Sequence, residues 1–281
     1  MTDSAPDRFE SAEEVPEALR EPLADLLLVL ADNKRLLGMR YADWILGAPA
    51  LEAGIACSAM AQDEWGHGRI LYAMLRDFGR DPDRLEHGRE PGAYRNSELL
   101  DAEPESWPEL LALNVLLDTA LTVQFEAMRD SRFQPVHHKV SKLLEEERFH
   151  FAHGEGWTAR LASTDRGRER LSAAFPTAWA SCLRWFGREE DPVNGPLVEA
   201  GIVDAGPDEL RRRWLERVGP VVDGAGLGLA EPADGDGWRT DAAPEWSGWR
   251  PGARRPDSAP GPDERTVERV RGDRNRSFLM D

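Results

Sequence analysis

The chain has 281 residues, 41% of them hydrophobic, and 52 acidic side chains against 35 lysines and arginines give it a net charge of -17. That sign of charge excludes nucleic acid and anionic membrane as partners, and no apolar run reaches the ~18 residues of a membrane span. The length allows one large domain or a domain with an appendage. Cys57 and Cys182 both fall within apolar helical patterns, so the sequence predicts no disulfide scaffold and a cytoplasmic protein. An acid excess of this kind suits a high-salt cytoplasm or an ordinary soluble surface. Lys34, Lys139 and Lys142 are the only lysines.

Residues 1–16 predict a loose acidic leader with no signal-peptide core. A first helix is expected from about Pro16 to Leu46, ending at Gly47-Ala48-Pro49 because proline disfavours helix in the residue before it. A second runs from about Ala50 to Phe78 and stops at Gly79. Residues 80–107 carry Asp81-Pro82, Glu90-Pro91-Gly92 and Glu103-Pro104, which predicts a long irregular crossover. A third helix spans about Pro108 to Arg129, a turn follows at Ser131–Pro135, and a fourth helix spans about Pro135 to Leu161. A fifth is expected from Asp165 to Phe186 and a short sixth from Pro207 to Val218. No strand is predicted. The Gly- and Pro-rich stretch after 220 contains Trp238, Trp246 and Trp249. That is too aromatic for a disordered tail, so it reads as an arm packed on the bundle or on a partner. Asp263–Arg271 adds a last charged turn or two. The expected organisation is therefore a leader at 1–16, a helical domain at 17–220 and an extended arm at 221–281.

Four of these helices carry apolar heptads broken near the middle. The first reads Leu23, Leu27, Leu30, Lys34, Leu37, Tyr41, Trp44. The second reads Cys57, Met60, Glu64, His67, Leu71, Met74, Phe78. The third reads Leu111, Asn114, Asp118, Leu121, Phe125, Met128. The fourth reads Val140, Leu143, Glu147, His150, Gly154, Trp157, Leu161. Steps of three and four keep each set on one face, so Lys34, Glu64, His67, Asp118, Glu147 and His150 point inward. Burying such a group costs several kcal/mol unless it is paired or bound to metal.

Short, long and short connections between the first four helices match a ferritin-like four-helix bundle with one long crossover. The expected fold class is therefore all-α, with extra C-terminal helices and an irregular arm. Glu64-x-x-His67 and Glu147-x-x-His150 each place a carboxylate and an imidazole one turn apart on one face. Two copies on facing helices are the arrangement by which such bundles bind two iron or manganese ions. Asp118 adds a third carboxylate, but Lys34 stands where the fourth is expected and repels a cation. Two outcomes stay open: a dinuclear site, or a buried ionic network without metal in which Lys34 replaces the metal charge. Asp32 lies about 200° round the helix from Lys34 and cannot stand in as ligand. Asn114, one turn from Asp118, is placed to hydrogen-bond it. Tyr41 and Trp44 could line a channel or the core. His153 falls off the stripe, and His137 and His138 read as exposed.

The segments Gly47-Ala48-Pro49-Ala50-Leu51-Glu52, Gln62-Asp63-Glu64-Trp65-Gly66-His67-Gly68, Tyr94-Arg95-Asn96 and Glu146-Glu147-Arg148-Phe149-His150 resemble the phenylacetyl-CoA 1,2-epoxidase family, over roughly residues 20–220. The resemblance implies a ferritin-like chain, with Glu64, His67, Asp118, Glu147 and His150 at the ligand positions of the family's catalytic, di-iron member. The crossover and the tail look more like the family's structural member. The resemblance also implies aerobic phenylacetate breakdown through a CoA thioester, with dioxygen and electrons from a flavin and iron–sulfur reductase. The leading expectation is a mainly structural component, scaffolding a ferritin-like catalytic partner and keeping an altered metal site. The second is a self-sufficient di-iron or di-manganese oxygenase or oxidase of the same superfamily, acting on another acyl thioester or an aromatic. The expected partners are a ferritin-like catalytic chain or further copies of this one, with an acyl-CoA as substrate. A ferritin-type iron protein is the third, and Lys34 and the long tail count against it.

Overall fold

A computed structural model describes residues 8–233 and 235–272. Helix α1 (Glu17–Asp43) and helix α2 (Leu51–Met74) form an antiparallel pair, α2 tightening into a 3₁₀ turn at Leu75–Phe78 before Gly79 at φ +73°. Small residues let the two backbones approach. A Cβ on Gly68 would lie 3.3 Å from the Arg35 backbone nitrogen, and one on Gly38 would strike the Trp65 indole at 2.6 Å.

The crossover holds the short helix α3 (Pro82–His87) and 3₁₀ turns at Pro91–Ala93 and Glu98–Leu100, so it is more ordered than its proline content suggests. Two consecutive residues of α1 fasten it. Asp32, fully buried, accepts from Tyr72 Oη (2.6 Å), the Arg89 guanidinium and the Arg95 backbone N–H (2.7 Å), and Asn33 Oδ1 accepts from Ser97 N (2.9 Å).

The third bundle helix is not one continuous α-helix. Helix α4 (Trp107–Ala112) starts at Ser106, whose hydroxyl accepts from Glu109 N while Glu109 reaches back to Ser106 and to Glu105 N. This is the reciprocal cap that favours helix initiation. Leu113–Asp118 then forms a π-helical segment, and α5 (Thr119–Glu126) continues the rod. Helix α6 (Gln134–Ala162) has Pro135 in its first turn, where the missing N–H costs nothing. Around this bundle pack α7 (Asp165–Trp185), α8 (Asn194–Glu199) and α9 (Pro207–Gly224). Helix α8 has no counterpart among the predicted helices, and α9 extends past its expected end near 218.

Both flanks are more structured than expected. Phe9 bridges to Phe133, and Phe9, Ala12 and Val15 are buried, so residues 8–16 are packed rather than loose; residues 1–7 lie outside the described range. The arm contains two-residue antiparallel ladders, β1 (Glu231–Pro232) with β2 (Trp238–Arg239) and β3 (Trp249–Arg250) with β4 (Arg255–Pro256), then α10 (Glu264–Arg271). Trp238 fills the space left by Gly219 on α9, and Trp246 stacks edge-on against Trp249. Arg254 and Arg255 are buried. The first bonds Gln124 and Asn194, and the second bonds Asn96 and Asp101. The fold is thus an all-α, ferritin-like bundle with one long crossover, wrapped by its own C-terminal arm. Among the described residues no helix is long and apolar enough to cross a membrane.

Candidate metal centre

The four broken heptads meet at one depth in the bundle. Lys34 from α1 is fully buried, and its Nζ donates to Glu64 Oε1 (2.9 Å) from α2, Asp118 Oδ1 (2.7 Å) from the π segment and Glu147 Oε1 (2.6 Å) from α6. An ammonium has three protons, and all three are used. Ligand-type atoms of Glu64, Asp118, Glu147 and His150 lie within 4.8 Å of one another, close enough for one ion to be held by all four. His67 stands beside them, its Nδ1 3.1 Å from Glu147 Oε1 without the alignment of a hydrogen bond. Both histidines therefore face the same Glu147 carboxylate, since His150 Nδ1 lies 3.7 Å from its Oε2.

Two of the three outer oxygens are also engaged. Tyr41 Oη donates to Asp118 Oδ2 (2.8 Å), and Asn114 Nδ2 donates to Tyr41 Oη (2.8 Å). Asn114 therefore acts through Tyr41 rather than on Asp118 directly. Thr122 donates to Glu147 Oε2 at 3.1 Å. Glu64 Oε2 is buried with no partner. Trp44 does not join this group; its indole N–H meets Pro104 O (3.3 Å) and its ring stacks on Trp107. His153 packs against the contacting pair Trp107 and Trp157.

Two contributors were not among the residues the heptads single out. His150 Nε2 lies 3.4 Å from Asp63 Oδ2, and His67 Nε2 lies 2.8 Å from Glu146 Oε2. Each imidazole turns its Nδ1 to the centre and is gripped from behind by the residue that precedes the other motif's glutamate. The signal is present in the sequence: both motifs read acid-Glu-x-x-His. A carboxylate behind a histidine fixes its ring orientation and raises its basicity, the usual support for a metal-binding imidazole.

Charge distribution follows from this geometry. Burial alone would pull the Lys34 ammonium toward neutrality, but Asp118, Glu147 and Glu64 outweigh it and hold the charge more firmly than in water. Burial likewise opposes protonation of His150, yet Glu147, Asp118, Asp63 and Glu64 push it up to about 12, and His67 is raised against burial by Glu147. Burial and the neighbouring Asp118 push Glu64 up to about 7, with Lys34 pulling the other way. Asp118 is held well below the usual carboxylate range, because Lys34 and His150 overcome its burial. Lys34 and His150 thus hold positive charge against the central carboxylates, with Asp63 and Glu146 supporting the two imidazoles from behind.

The donor set suits iron or manganese in residue type and spacing. The ammonium does not: it takes one oxygen each of Glu64, Asp118 and Glu147, so an ion could share these oxygens only if Lys34 withdrew. No curated protein matches the chain. A family model does, that of the phenylacetic acid catabolic proteins, over residues 1–241. With a matched span of that extent and a bundle of the expected topology, the chain belongs to the phenylacetic acid catabolic protein family.

Proposed function

We propose that this chain is a mainly structural component of a multicomponent phenylacetyl-CoA 1,2-epoxidase, partnering a ferritin-like catalytic chain. Its bundle centre is held by Lys34 in place of a metal pair. The observation that carries this reading is the Lys34 ammonium bonded to Glu64, Asp118 and Glu147 at 2.6–2.9 Å. A group at that point supplies the positive charge that would otherwise come from an ion, and it stabilises three carboxylates that could not be buried unpaired.

In this role the residues act on the fold. Lys34 ties three helices to its own at one level. Tyr41 and Asn114 orient Asp118, and Thr122 orients Glu147. Asp63 and Glu146 restrain the two imidazoles. Were iron or manganese bound, it would act as the oxygen-activating group, with Glu64, Asp118, Glu147 and His150 as the residues to hold it.

The paired supports Asp63–His150 and Glu146–His67 favour a second reading, a metal-loading oxygenase in which Lys34 moves aside. Co-expression with a catalytic family member separates the two. The scaffold reading predicts a stable complex with epoxidase activity that survives Glu147→Gln in this chain. Activity of this chain alone, lost on that substitution, would establish the second reading instead.

A further inference from the structure

We infer that the groove between α2 and α6 binds a small carboxylate with an extended apolar body. The cavity measures about 420 Å³. It is lined by Leu71 and Met74 from α2, by Val136, Val140 and Leu143 from α6, and by His67. Residues 62–74 of α2 border it, so at 1.5 Å per residue it is about 18 Å long. That length and the apolar lining suit an extended aliphatic or aryl-alkyl chain rather than a compact polar metabolite.

The rim selects the head group. Asp63 and Glu146 line the groove, but each is committed to a histidine, Asp63 to His150 and Glu146 to His67. Among the described residues Lys139 has no ion pair, while Lys142, 81% exposed, pairs loosely with Glu146 at 3.8 Å and joins His150 and His67 in lowering the Asp63 pKa. These are two of the three lysines in the chain, and the third is Lys34. An acid whose apolar part lies on the valines and leucines could offer its carboxylate to these two lysines, which line the same groove.

Gly66 supplies a second, independent observation. It sits mid-helix in α2, where glycine costs about 1 kcal/mol relative to alanine. A Cβ there would meet nothing within 4 Å, so no internal contact requires glycine. It lines the groove. A side chain at this point would occupy the ligand's space. The inference is independent of the epoxidase reading, because a thioester has no charge at the end of its apolar body, whereas these lysines line the groove itself.

Calorimetric titration of the full chain with octanoate, 1-octanol and octylammonium tests this. Octanoate should bind one per chain and more tightly than either other probe. Lys139→Ser with Lys142→Ser should weaken octanoate about tenfold and leave octanol unchanged. Gly66→Leu should abolish binding of both while the melting temperature holds or rises. Octanol binding as tightly as octanoate, no saturable octanoate binding, or wild-type binding by Gly66→Leu would each overturn the assignment.

Discussion

Among single residues, Lys34 matters most. Its three bonds are fully buried, so Lys34→Ala leaves three carboxylates facing one another with only two imidazoles. The expected loss of unfolding free energy is about 3–5 kcal/mol, measured by urea denaturation. Lys34→Met, nearly isosteric but uncharged, should lose a similar amount, which separates missing charge from missing volume. The inward position of Lys34 was legible from the heptads, as were the five ligand-type residues. The roles of Asp63 and Glu146 were not, because an acid beside an acid on a helix reads as a solvated face until the facing helix is known.

His150 also fixes a pH dependence. Its folded-state pKa lies above its ordinary 6.5, at about 12. The folded protein therefore holds this proton more tightly than the unfolded chain. The stabilisation is fully present below about 6.5 and is lost as pH rises through about 12. For one proton the slope is ~1.4 kcal/mol per pH unit. Asp118 acts in the opposite sense: held low in the fold, it contributes stability at neutral pH that disappears in acid. Stability measured by denaturant titration should thus fall from about pH 7 to 11, and His150→Gln should flatten that limb. An unchanged slope in the variant would mean that His150 is neutral in the fold.

For the four bundle helices and for α7 and α9, existence and order followed from apolar periodicity; α3 and α8 were not foreseen, nor were two local features. The π segment at Leu113–Asp118 keeps the α-helical spacing in sequence while inserting a wider turn, and no residue pattern marks it. Such segments cluster at functional sites, and this one ends on Asp118. Gly154 shows the packing that accompanies it, since a Cβ there would lie 1.7 Å from Asn114 Oδ1. The crossover looked irregular because its order comes from tertiary partners, chiefly Asp32, rather than from local propensity. Asp32→Asn should leave Arg89 without a counter-charge in a buried setting, destabilising by about 3–5 kcal/mol. Limited proteolysis should then cut within residues 80–100 in the variant before the bundle is attacked. Equal resistance of variant and wild type would show that the clamp is not what orders the crossover.

Over the full chain, the arm's tryptophans reveal where sequence reading stops. Their number predicted burial, but not whether on this chain or on a partner. Trp238 packs against Gly219, and Trp246 and Trp249 lie near Arg188 and Arg184 of the same chain. The large exposed apolar side chains are elsewhere: Leu46 is 98% exposed, Leu51 77% and Ile55 62%, all around the α1–α2 turn, and Phe149 on α6 is 73% exposed. Apolar exposure of this kind marks a contact surface. A protein that uses it should run as an oligomer, with itself or with a catalytic chain, by light scattering. Leu51→Asp with Ile55→Asp should shift that species toward monomer without changing the melting temperature of the isolated chain.

Metal content tied to stability is the most direct test of whether an ammonium replaces metal charge at the bundle centre. Iron and manganese would be counted per chain after aerobic purification and again after incubation with ferrous or manganous ion, with a thermal melt at each stage. Wild type should bind far less than one ion per chain and melt at the same temperature with or without metal. Lys34→Glu, which restores the fourth carboxylate, should be poorly stable alone and gain stability from added ion, by linkage of binding to folding. Wild-type protein that holds two ions per chain and melts higher with them would contradict the replacement and make the chain a metal-loading oxygenase.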